Sequence, residues 1–224
     1  MNSIYRLALG EEFNNLHPKI QMRFGFSSAD QIALIGTGIM DRIWRGRFYT
    51  LPFLLVGTWR NIMFPSSGVR IPFQVENYAY RDTFGRETVT WIRTFHFPNR
   101  TRRFDATMIY STQRARIVDY LGTHQHLAVD IHPSVAENDG LNLRSGEQRF
   151  YEGPVAFRFP MLFSGYAEVC EWYDDSAGRF RISVAVKNRV WGDLFGYDGS
   201  FQVERIRSEH VPDRVRPLRE ERRE

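Results

Sequence analysis

Little in this chain could staple it or anchor it. Its 224 residues contain one cysteine, Cys170, so no intramolecular disulfide can form and a zinc centre built from several cysteines is excluded. Lysine is nearly missing: only Lys19 and Lys187 stand among 30 basic residues, and arginine carries the rest of the positive charge. The stretch from Phe48 to Trp59 is uncharged but far short of the roughly 20 residues a membrane-spanning helix needs. The opening MNSIYRLALGEEF reaches Glu11 and Glu12 before an apolar secretory region can form, and a cytoplasmic location is the expectation. The nucleophile-elbow, zincin and phosphate-loop patterns are also missing.

What is present describes an ordinary globular chain, 42% hydrophobic and 25% charged, of a length that suits one large domain. Aromatic residues make up 15% and favour strands, so a mainly β protein is expected. The net charge of +4 comes from arginines spread among 26 acids, a distribution that argues against nucleic-acid binding.

The first third differs from the rest. Ile4, Tyr5, Leu7, Ala8 and Leu9 before Gly10 predict a short helix with a glycine cap, and Pro18 interrupts the segment that follows. Tyr49 to Met63 predicts a second helix with Pro52 in its first turn. Between them, IALIGTGIM carries a Gly36-x-Gly38 pair without the third glycine or the βαβ repeat of a dinucleotide site. From Gly68 onward the period becomes two: Ile71, Phe73 and Val75 alternate with polar residues, as do Val89, Trp91 and Phe95. About nine strands follow by this reading. The expected fold is an antiparallel β barrel or strongly curved sheet, lipocalin-like, over residues 1–203, with a helical front at 1–67 and a charged, solvated tail at 204–224. The alternative is a helix-grip α+β fold, in which a sheet wraps a C-terminal helix.

Three clusters could carry chemistry. In GTHQHLAVDIH, a regular strand puts His124, His126, Asp130 and His132 on one face. A hairpin pairing His132 with Leu141 would set Glu147 opposite His126 and Arg149 opposite His124, and a one-residue slip would undo that. No metal is expected there. In SGEQRFYEG, Glu147, Arg149 and Tyr151 point the same way, as an internal ion pair or as an anion-holding arginine beside a proton-transferring carboxylate. In SGYAEVCEWYD, Glu171 shares a face with Ala167, Val169 and Tyr173, a setting for a perturbed carboxylate or for a partner of Arg181 or Arg149. The expected catalytic residues are Glu147, Glu171, Arg149 and His126; the expected ligand-binding residues are Tyr151, Tyr173, Trp91 and His124.

TWIRTFHFP, LGTHQHLAVD, SGEQRFYEGP and FGYDGSF, in combination and in this order, resemble the bacterial family catalogued as domain of unknown function 4166. The resemblance runs from the opening YRLALGEEFNNLHP to about Val203 and implies a bacterial, cytoplasmic module without naming a reaction. The functional expectation is a barrel pocket for a small apolar metabolite, without a cofactor, acting as an isomerase or cyclase; the alternative is a non-catalytic carrier of a lipid or polyketide-like ligand.

Overall fold

Ser3 opens α1 (Ile4–Leu9) by accepting the Arg6 amide hydrogen, and Gly10, at φ 58°, closes it. Pro18 ends one element and starts another, sitting in the first turn of α2 (Pro18–Phe24), whose cap is the His17 ring. Pro52 does the same for α3 (Leu51–Trp59). The structure, a computed structural model, describes residues 2–159 and 164–224. No helix among the described residues is long and apolar enough to cross a membrane.

The rest is mainly strand: β1 (Ile32–Arg45), β2 (Gly68–Arg81), β3 (Glu87–Phe97), β4 (Arg100–Ser111), β5 (Arg116–Leu121), β6 (Leu127–Val135), β7 (Leu141–Glu152), β8 (Val155–Arg158), β9 (Tyr166–Asp174), β10 (Arg179–Asn188) and β11 (Gly192–Arg207). All pairings are antiparallel. β1 to β7 form a meander, β9 to β11 continue it, and β11 pairs back onto β1, which closes a ten-stranded barrel. β8 is a short extra strand on the free edge of β7. The period-two reading from Gly68 is the start of β2 to the residue. The helix-grip alternative is overturned: after β11 the described chain holds one 3₁₀ turn, Asp213–Val215, and no long helix.

Two strands exceed the nine expected. β1 lies inside the segment read as a helical front, and its Gly36 and Gly38 had masked it. They belong to barrel packing: a Cβ at Gly36 would stand 2.6 Å from Val75 Cγ1 and 2.8 Å from Phe201 Cδ2. The other is β8. The charged segment expected to be solvated from residue 204 instead continues β11 to Arg207 and then lies along the barrel's outside. Arg214 holds Glu76 at 2.9 and 2.7 Å, Glu220 accepts the Thr83 amide at 2.8 Å, and Val215 is buried.

The two barrel ends differ. At one end, α1, α2 and the 3₁₀ turn between them plug the barrel, with Tyr5, Phe13, Ile20 and Phe24 buried in its core. At this end His17 stacks on Tyr173 at 5.2 Å. At the other end α3 lies between β1 and β2, and β7 meets β9 only across Leu141–Arg144, since β8 occupies the β7 edge at Arg149–Glu152. That short seam and α3 frame an opening.

Candidate functional site

The opening leads into a cavity of about 620 Å³ inside the barrel, large enough for a small apolar molecule. Its walls are inward residues of successive strands, Leu127, Val129, Leu143, Val169, Val184 and Val186 among them. Met63 and Trp59 come from the α3 segment, and the floor includes Trp91 and Met108. The Trp91 indole donates to the Tyr5 hydroxyl at 2.9 Å, so the floor is fastened to the helical plug.

Two ionisable groups reach deep into this apolar space. On β5, Ile117, Asp119 and Leu121 share the inward phase, and on β3 Val89, Trp91, Arg93 and Phe95 do. Asp119 is 5% exposed, and its Oδ1 is buried with no hydrogen-bond partner among the described residues. Burial pushes its carboxyl up to about 7, against the opposing pull of Arg93 and of a hydrogen bond with the Thr107 backbone. Arg93 is 3% exposed; its Nε donates to the Phe104 carbonyl at 3.1 Å and its terminal nitrogen to the Tyr197 hydroxyl at 3.3 Å. The guanidinium lies 3.9 Å over the Phe104 ring. Among the described residues neither Arg93 nor Asp119 makes an ion pair, although both line the cavity. The site thus offers a cation and a carboxyl raised to about 7 in a pocket lined mainly by apolar side chains.

A second polar group sits at the mouth. His124 and His126 stack with ring centres 5.6 Å apart. His126 Nδ1 is 2.6 Å from Glu152 Oε2 and 2.9 Å from the Arg219 guanidinium. A protonated Nδ1 donates to Glu152 and a bare one accepts from Arg219, so the ring has two alternative bonding states. Burial, then the nearby Arg60 and His126, hold His124 below its usual value. Among the described residues no group of three His, Cys, Asp or Glu side chains is arranged to hold a metal.

The expected site residues divide. Trp91, His124 and His126 line the cavity. Glu147, Arg149 and Tyr151 do not, because the hairpin register differs from the simple one: the β6 to β7 turn takes residues 136–140, His132 pairs with Arg144, and Ala128 faces Arg149. A bulge opposite Asp130, at Gly146 and Glu147, then shifts the phase, so that Gln148, Phe150 and Glu152 line the cavity. Outside, Asp130 accepts from Arg149 at 2.6 Å, Arg114 at 2.9 Å and Arg116 at 3.3 Å, and Glu147 bridges Arg149 and Arg114 at 3.0 Å each. Tyr151 donates to the Glu224 carbonyl at 3.0 Å.

Glu171 points inward but lies below the cavity, where it pairs with Arg23 of α2 rather than with Arg181 or Arg149. Tyr173 stands at the plugged end. The histidines escape the strand phase because Gln125, at φ 53°, breaks the chain just before β6. Asp119 and Arg93 were not singled out from the sequence. Their signal is a charged residue in the apolar phase of a strand, in RIVDYL and in VTWIRTF.

A family model described as Domain of unknown function (DUF4166) matches residues 16–201. The chain is also 34% identical over 205 residues to "Uncharacterized protein YndH" of Bacillus subtilis (strain 168), covering 91% of this chain and 98% of that protein.

Proposed function

This chain belongs to the Domain of unknown function (DUF4166) family, and we propose that it is a small-molecule-binding barrel that performs acid and base chemistry on an apolar metabolite bearing one carbonyl or carboxylate group. The observation that carries this reading is the presence of Asp119 and Arg93 in one apolar cavity, each without a direct ion pair among the described residues. A buried arginine that no carboxylate touches suits an oxygen that is or becomes negative. A carboxyl titrating near 7 suits a group that takes a proton and returns it at neutral pH. Together they fit an isomerase or cyclase step: Asp119 removes a proton from carbon beside a carbonyl, Arg93 holds the enolate oxygen, and the Asp119 carboxyl, its proton exchanged with solvent, delivers a proton to another carbon.

The carrier reading uses the same raised carboxyl in its neutral form: below neutral pH Asp119 is largely protonated, and a neutral carboxyl can simply donate a hydrogen bond to a lipid or polyketide-like ligand.

The test starts with native mass spectrometry of freshly purified protein and titration with cis-parinaric acid, an apolar chain with one carboxylate. One saturable site per chain is expected, weakened about ten- to a hundredfold by Arg93→Met, as the loss of charged hydrogen bonds implies; circular dichroism checks that the variant is folded. Absence of both a retained molecule and a saturable site would overturn the reading. Incubation of the ligand complex in D₂O separates catalyst from carrier: deuterium on ligand carbon with wild type and none with Asp119→Asn supports catalysis, and no exchange with wild type supports the carrier.

A further inference from the structure

Residues 42–75 contain five arginines, at positions 42, 45, 47, 60 and 70, and no acid. The same run carries strongly exposed apolar side chains near the cavity mouth: Phe48 and Trp59 are each 77% exposed and Val56 69%. Leu55, Val56 and Trp59 lie on one face of α3, three and four residues apart, while Leu54 is buried on the other. Tyr49, itself exposed, ties this region to the β10 to β11 turn by donating to the Trp191 carbonyl at 3.1 Å, and that turn adds exposed Arg189 and Val190. Arg45, Arg47 and Arg60 make no ion pair among the described residues; Arg60 stacks on Trp59 at 4.4 Å. Val56, Trp59 and Arg60 also line the cavity, so the patch and the opening are continuous.

We propose that this end of the barrel docks on an anionic lipid bilayer, with Phe48, Leu55, Val56 and Trp59 entering the interface and Arg45, Arg47 and Arg60 meeting lipid phosphates. Apolar side chains that project beside three arginines without an ion pair are what an anionic membrane surface complements, and a second copy of this chain would set like charges against one another. An interfacial tryptophan with an apolar helix face is the usual anchor. Docking there opens the cavity onto the acyl region, so an apolar ligand can enter without crossing water. The docking itself does not depend on the ligand reading above.

The test is co-sedimentation of the full chain with phosphatidylcholine vesicles containing or lacking 30% phosphatidylglycerol, at 50 and 500 mM NaCl. Binding is expected only to the anionic vesicles and mainly at low salt, since surface charges are screened at high salt. Val56→Ser with Trp59→Ser, and separately Arg45→Glu with Arg47→Glu, should each reduce the bound fraction at least tenfold. Phe84→Ser, at the plugged end, should leave it unchanged. Absence of binding to anionic vesicles, or binding insensitive to both double variants, overturns the proposal. So does a dimer by light scattering that the Val56 and Trp59 changes dissolve, since the patch then serves self-association. Parinaric acid binding without vesicles, measured on the same variants, distinguishes loss of docking from loss of the cavity.

Discussion

Asp119 and Arg93 line one cavity without touching each other: the guanidinium bonds to the Phe104 carbonyl and the Tyr197 hydroxyl, and Asp119 Oδ1 has no hydrogen-bond partner among the described residues. Two opposite charges left apart in an apolar space are unfavourable for folding alone, and such costs concentrate where a ligand is bound or transformed.

Stability should record that cost as a pH dependence. The Asp119 carboxyl rises from the usual 3.8 to about 7 on folding, so the folded state holds a proton that the unfolded state releases. The penalty is absent below about pH 4, grows as pH rises and is complete above about pH 7. Asp119→Asn removes it. We expect the variant to be more stable than wild type at pH 8 by on the order of 2 to 4 kcal/mol, with the gap closing toward pH 4. Urea unfolding at pH 4, 6 and 8 measures this, and an equal gap at all three values would contradict it.

Below the cavity, Arg23 and Glu171 form an ion pair whose side chains are each 1% exposed. Glu171→Gln leaves a cation buried among Trp91, Phe180 and Phe201, and should cost roughly 3 to 5 kcal/mol. Replacing both residues by methionine should recover most of that loss. Because Glu171 does not line the cavity, parinaric acid binding by folded Glu171→Gln should match wild type; a tenfold loss would return Glu171 to the site.

On the outside of β6 and β7, Arg149 is one of three arginines on Asp130. Burial alone would raise the Asp130 carboxyl, yet hydrogen bonds from Arg114 and Arg149 hold it below its usual value. Stability from this network is therefore present above about pH 4 and lost as pH falls through the depressed value. Arg149→Met leaves Arg114 and Arg116 in place, so about 1 to 2 kcal/mol should be lost in thermal or urea unfolding at neutral pH, with cavity binding unchanged. A loss near 5 kcal/mol would show that the two remaining arginines do not compensate.

The sequence alone determined what depends on near neighbours. The glycine cap after Leu9, the proline that begins α3, and the two-residue period from Gly68 act through backbone angles and alternation, which a few adjacent residues settle; Pro18 reads only as a break, and the structure shows that α2 starts there. The sequence therefore specified a β barrel with short helices. Only the tertiary structure decided which strand faces look inward along β6 and β7. There the left-handed Gln125 and the bulge opposite Asp130 reset the phase, placing Glu147 and Arg149 outside while His124 and His126 reach the cavity. The deep pair was equally hidden. Asp119 and Arg93 lie 26 residues apart on strands that are not neighbours, and barrel closure, a sum of long-range pairings, brings them to the same space.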